Sequence, residues 1–281
     1  MAEFPRTMVD NVSLPRMLIG TNWFLGFSHQ SPSKDRLICS RSVSQIADIL
    51  EVFLQHGIDA ILGFVANDRM YQAVQEAEQR TGKKLIIIST PGIDVNDGPE
   101  ADAKNNEIFD LEAQRGSTIV MPHTSSTDVL LDKRARVIRK MDKICKMIRQ
   151  RGMIPGLSTH EPETIVFADE TDLDVGTYIS IYNAAGFLMP IEIDWVNYII
   201  RNAKKPVITI KPFASGRLHP FVGLNFSWST LRPQDMVTVG TMTPDEAKEV
   251  IEMSLAHFER RQADIELQVT RSKKVLQKVE K

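Results

Sequence analysis

RGMIPGLSTHEPETIVFADETDLDVGTYISIYN, running from Arg151 to Asn183, is the stretch whose reading decides the fold. Met153 to Leu157 is a short apolar run that stops at Ser158, Thr159 and His160. Glu161-Pro162-Glu163 then opens a helical pattern, and Tyr178 to Tyr182 supplies the next apolar run. That order is one strand-helix-strand unit. Polar residues placed where a buried strand gives way to a helix mark the end of a parallel α/β protein at which loops gather functional side chains.

The same unit recurs in both directions. Met17 to Thr21, Ile58 to Gly63, Leu85 to Ser89 and Thr118 to Met121 read as strands 1 to 4, and Val207 to Ile210 and Met236 to Val239 as strands 7 and 8. LIIIS at strand 3 is almost wholly apolar, as a strand buried on both faces must be. Helical spacing fills the intervals. Ser42 caps a helix carrying Ile46, Ile49, Leu50 and Phe53 and stopped by Gly57; others span Asp68 to Arg80, Glu107 to Gln114, Lys133 to Gln150 and Ile193 to Arg201. Thr243 and Glu246 form a capping box, with Pro244 at the first turn, for a helix from Asp245 to about Arg260. Val222 to Asp235 reads as irregular, and Asp264 to about Val279 as a final charged helix. Eight such repeats without a composition break predict a single-domain (β/α)8 barrel over 1–281, with a polar lead over 1–15 and a helical extension over 262–281. A doubly wound open sheet is the runner-up, and the lack of an early Gly-rich fingerprint counts against it.

Composition bounds the function. With 281 residues, 42% hydrophobic and 25% charged, the chain is ordinary globular material of the size of one α/β barrel. A net charge of -2 gives no long-range field for nucleic acid or an anionic membrane, which leaves a small-molecule ligand as the expected partner. The two cysteines, Cys39 and Cys145, read as reduced packing thiols. No apolar run reaches membrane-spanning length and the first residues lack the apolar core of a signal peptide, so the cytoplasm is the expected compartment.

Four of the six histidines, His29, His123, His160 and His219, fall in loops at the same end of the expected barrel. His123 and His160 are the candidate acid and base, since imidazole titrates near neutrality. Converging with Asp94, Asp97, Glu161 or Glu163, these rings would suit a Zn, Mn or Fe site, and hence a metal-dependent lyase, isomerase or hydrolase. Lys211, at the end of strand 7, reads either as a Schiff-base amine or as a Lys-Pro turn. Should Trp23, Phe24 and Phe187 plug the mouth, the chain would be a non-catalytic scaffold.

Three segments resemble the aldo-keto reductases, barrels that reduce carbonyls with NADPH. GLSTHEPETI is similar to the family's strand-5 segment, VITIKPFASGRL to its strand 7 and the loop over the cofactor pyrophosphate, and VTVGTMTPDEAKEVIE to its strand 8 and last helix. The resemblance implies an NADP-binding path. Ser158 would hold the nicotinamide carboxamide, Tyr182 would stack on the nicotinamide, and Ser215, Gly216 and Arg217 would form the pyrophosphate loop, with Lys211 and Thr241 beside it. Asp245 and Glu246 would repel a phosphate placed at the last helix, with only Lys248 compensating. Family members carry an Asp ending strand 2, a Tyr five residues on, a Lys ending strand 3 and a His ending strand 4. Here those positions read Leu62, Asn67, Pro91 and His123. The resemblance therefore implies an aldo-keto-reductase-like barrel of altered or lost carbonyl-reductase chemistry that keeps a small-molecule and nucleotide pocket.

Overall fold

The structure, a computed structural model, describes residues 4–276. Eight parallel strands close into a barrel: β1 (Met17–Gly20), β2 (Ala60–Gly63), β3 (Ile86–Ser89), β4 (Ser117–Val120), β5 (Ile154–Ser158), β6 (Thr177–Ile181), β7 (Val207–Ile210) and β8 (Met236–Val239). Neighbours in space are neighbours in sequence, and β8 pairs with β1 through Val237↔Met17, Thr238↔Leu18 and Val239↔Ile19. An outer-layer helix follows each strand: α1 (Val43–Gln55), α2 (Asp68–Thr81), α3 (Pro99–Gln114), α4 (Met141–Arg149), α5 (Glu163–Glu170), α6 (Ile193–Asn202), α7 (Pro220–Thr230) and α8 (Pro244–Glu259), with short extra helices Asn22–Leu25 and Pro32–Cys39 after β1 and Thr124–Leu130 after β4. The chain is a (β/α)8 barrel.

Strand alternation separates two cores. Leu18, Leu62, Ile88, Ile119, Ile154, Ile179, Ile208 and Met236 fill the barrel, while their neighbours, such as Ile19, Ile61, Ile87, Val120 and Tyr178, pack under the helices. The polar lead is ordered. Arg6–Val9 and Val12–Pro15 form an antiparallel hairpin whose Val9 and Leu14 join the inner core and close the barrel at its N-terminal end. The opposite end stays open, so ligand chemistry is confined there.

Four segments differ from expectation. Val222 to Asp235 contains α7 rather than irregular chain. His219 accepts from Phe221 N at 3.2 Å, Pro220 occupies the first turn, and the helix is apolar on nearly every side, so no period betrayed it. Gly223 lets α7 approach, since a Cβ there would sit 2.5 Å from Pro212 O. The helix expected from Lys133 begins only at Met141. Asp132 Oδ1 accepts from Arg134 N and Ala135 N, turning Leu131–Asp132 back onto Val137–Ile138 as a short hairpin. The C-terminal extra helix does not form over 261–273, and Lys274–Leu276 is a single 3-10 turn. Its apolar residues Leu267, Val269, Val275 and Leu276 are exposed, so no packed face repays the cost of helix nucleation. Residues 277–279 of that expected helix lie outside the described residues. In contrast, α3 begins two turns earlier than its apolar spacing suggests: Pro99 occupies the first turn with Glu100 and Asp102, and Asn105 ties the preceding loop to the helix through Asp94 N (2.8 Å) and Asp94 O (2.9 Å).

Candidate functional site

Eight short strands ending together leave a cavity of about 840 Å³ at the open end. His29, His123, His160 and His219 all line it, as do Ser158, Lys211, Ser215, Gly216, Arg217 and Thr241. The loop histidines expected at one mouth are therefore brought together. Such a volume is within the range of small-molecule and cofactor pockets.

Each side chain has a local cause for its position. His123 caps the short helix Thr124–Leu130, its Nδ1 accepting from Ser125 N at 3.2 Å. The neutral ring therefore carries its proton on Nε2. Phe64 lies against it at 5.0 Å between centroids, and burial holds its pKa below the ordinary histidine value. Asp128 organises the next loop: Thr159 Oγ1 donates to Oδ1 at 2.6 Å, while His160 N (3.1 Å) and Thr124 Oγ1 donate to Oδ2. One carboxylate thus binds the β4 loop to the β5 loop. Lys211 begins a turn closed by Ala214 N to Lys211 O at 2.9 Å, and its φ of 63° turns the amine into the cavity, 3.2 Å from His29 Nε2. Ala214 (φ 48°) and Ser215 (φ 56°) continue in the left-handed region, a strain of about 1–3 kcal/mol per residue that gathers at functional loops.

Burial and positive neighbours set the titration of this cluster. Burial pushes the Lys211 ammonium down to about 8. Burial, then the Lys211 charge, pushes His160 down to about 4, and the same two causes lower His29. The rings are neutral bases at neutral pH. The unfolded His160 titrates near 6.5, so between 6.5 and 4 the unfolded chain binds the extra proton and stability falls as pH drops. Wild type is expected to lose about 1–2 kcal/mol more than His160→Gln across that window, after discounting for solvent screening, in urea unfolding at stepped pH. Equal slopes would place His160 in water.

Several expectations are corrected. Tyr182 does not face the cavity: residues 179 and 181 share the inward register of β6, and Tyr182 points outward against Phe226 (5.0 Å), its hydroxyl donating to Thr230 Oγ1 at 3.0 Å. The ring is not part of the cavity lining on which a nicotinamide was expected to stack. Among the described residues no group of three or more His, Cys, Asp or Glu side chains could hold a metal ion. The carboxylates invoked for one are engaged elsewhere, Asp94 with Lys104, Asp97 with Lys140, and Glu161 and Glu163 with Lys133. The mouth is not plugged: Phe24 is in the outer core, Phe187 lies under Arg217 at 4.2 Å, and only Trp23 lines the cavity. Gly216 lines the cavity and lies close to Gln30, whose Nε2 a Cβ there would meet at 2.8 Å. Lys248 pairs with Asp245 at 3.1 Å and does not line the cavity. Asn67 caps α2, accepting from Arg69 N at 3.1 Å, and is no proton donor in the cavity. Cys145 is a buried packing thiol with its pKa pushed up to about 12, whereas Cys39 is exposed.

Sequence reasoning missed Asp128, Gln30, which donates to Ser215 O, and Thr238. Thr238 Oγ1 and Thr241 Oγ1 are buried at the cavity wall without a hydrogen-bond partner. Buried hydroxyls are seldom left so, and a ligand or water in the cavity would supply the partner. Only the parity of β8, which turns Thr238 inward with Met236, could have disclosed it.

No family model matches the sequence, and no curated protein matches it. Solved structures do. A Pseudomonas aeruginosa protein provisionally assigned as an aldo-keto reductase aligns with TM-score 0.66 at 16% identity, over 90% of this chain and 95% of that one. An aldo/keto reductase from Brucella melitensis aligns with TM-score 0.59 at 12% identity, over 96% of each. An aldo-keto reductase from Klebsiella pneumoniae, solved in complex with NADPH, gives TM-score 0.59 at 12% identity, over 94% of this chain and 92% of that one. The class is a (β/α)8 barrel with its cavity at the C-terminal end of the strands. Within that class, the chain resembles the aldo-keto reductases in fold, at an identity that carries the fold alone.

Proposed function

We propose that this barrel binds a small carbonyl compound in the cavity at its open end and handles it by an acid–base chemistry different from that of a tyrosine-based carbonyl reductase. The observation that carries the reading is the convergence of His29, His123, His160 and Lys211 on one cavity. A neutral His123 presenting Nε2–H, or the Lys211 ammonium, is a proton donor for a carbonyl oxygen, and neutral His160 is a base. These groups do the work that Leu62, Asn67 and Pro91 cannot.

A nicotinamide nucleotide, NADP by resemblance, fits in part. Thr238 and Thr241 offer two unpartnered hydroxyls, and Lys211 and Arg217 give the β7 side positive charge suited to a pyrophosphate. Glu246 and Glu249 line the β8 side and disfavour phosphate there. When bound, the nucleotide would supply hydride; the chain supplies orientation, a dry wall and the proton.

Titration with NADPH tests this, read by energy transfer from Trp23, which lines the cavity. Saturable binding tighter than about 1 mM is expected, weakened about tenfold by Arg217→Ala, the loss of one charge-assisted contact. Absence of binding at millimolar nucleotide would remove the oxidoreductase form of the proposal.

A further inference from the structure

Lys211 has an unusual setting. Its side chain is half-buried, projects into the cavity from a left-handed backbone, and pairs with no carboxylate among the described residues. Its one polar side-chain contact is His29 Nε2 at 3.2 Å, a neutral base. A half-buried ammonium whose one side-chain partner is an imidazole costs free energy that a structural Lys-Pro turn does not require, because any residue's carbonyl can close the turn to Ala214 N. The same burial that penalises the charge leaves a fraction of the amine neutral and nucleophilic near neutral pH.

We propose that the Lys211 amine captures a small aldehyde or ketone as an iminium in the cavity. His29 Nε2 takes one proton from the Lys211 ammonium, and the freed nitrogen lone pair forms the N–C bond to the carbonyl carbon. The C=O π pair moves onto oxygen, which His123 Nε2–H steadies by a hydrogen bond and which takes the second proton released by nitrogen, giving a neutral carbinolamine. The hydroxyl then leaves as water with the proton held by His29, and the nitrogen lone pair closes C=N⁺. No oxidant or reductant is consumed. Unpartnered Thr238 and Thr241 hydroxyls are placed on the same wall for the polar groups of the captured molecule.

This rests on the reading of the cavity as a carbonyl site and not on nucleotide binding. The full chain is incubated with glycolaldehyde and sodium cyanoborohydride, with and without NADPH, then analysed by intact mass and peptide mapping. One adduct at Lys211 is expected, forming about a hundredfold faster than on surface lysines and absent in Lys211→Met, which keeps the buried volume. His29→Ala retains Lys211 and is expected to slow the adduct about tenfold. Labelling spread over surface lysines with no preference for Lys211, in folded protein, would overturn the inference. NADPH binding without the adduct would leave a reductase and exclude the iminium. The adduct without NADPH binding would do the reverse.

Discussion

Asp235→Ala is expected to destabilise the fold by about 3–5 kcal/mol, the cost of leaving a buried cation without its partner. Asp235 is fully buried, and its carboxylate takes Arg232 Nε (2.9 Å), NH2 (2.7 Å) and backbone N (3.0 Å), and also Val207 N at the start of β7 (2.9 Å). The same arginine continues to Ala203 O and Lys205 O, while Arg16 Nε donates to Asp235 O at 3.0 Å and stacks over Trp228 at 5.2 Å. The carboxylate therefore ties the start of β7 to the turn before β8, and the main-chain oxygen of the same residue holds Arg16 beside β1, at the closed end of the barrel. Urea unfolding reads the effect, with a melting temperature lower by roughly 10 °C. Asp235→Asn, which keeps one acceptor, should lose less. A change below about 1 kcal/mol for the alanine variant would show that the arginines find other partners.

Asp128→Ala is expected to cost about 2–3 kcal/mol and to uncouple the two histidine loops. It removes the acceptor of Thr159 Oγ1, Thr124 Oγ1 and His160 N, leaving three donors of which both hydroxyls are buried. The loss falls at the functional end, so it has a local signature that Asp235→Ala lacks. Exchange of the His160 amide should accelerate about a hundredfold while the amides of the N-terminal hairpin stay unchanged, since local opening follows the lost free energy. The Lys211 adduct should form more slowly by about tenfold, because displaced loops no longer align His123 and His160 with the amine. Unchanged exchange at His160 would show that the β5 loop is held by Thr159 and Thr164 alone.

The fold was legible where burial imposes pattern. Strands buried on both faces read as unbroken apolar runs, and VITI and MVTV match β7 and β8 residue for residue. Helices with one wet face, such as α1 and α2, declared their period. Where the environment is uniform the pattern disappears: α7 is apolar on nearly all sides and reads as irregular. Charge on a helical period misled at residues 264–276, where no core face waits to be covered.

The site was legible in composition and obscure in detail. Strand ends fix which loops share a mouth, so four histidines could be gathered from their positions alone. Which way a side chain turns depends on register to one residue, and Tyr182 fell on the wrong side of β6. Tertiary partners such as Asp128 and Gln30 carry no local mark, because their role is created by loops that meet only after the barrel closes. Carboxylates that looked free in sequence were claimed by lysines in the hairpin and turn that precede α4.

Hydrogen exchange of the full chain, with and without saturating NADPH, asks most directly whether the open end is the ligand site. The expected result is slowed exchange in residues 211–219 and 238–246, with the N-terminal hairpin Arg6–Val9 and Val12–Pro15 unaffected. Protection confined to any other face, or none at all, would contradict it.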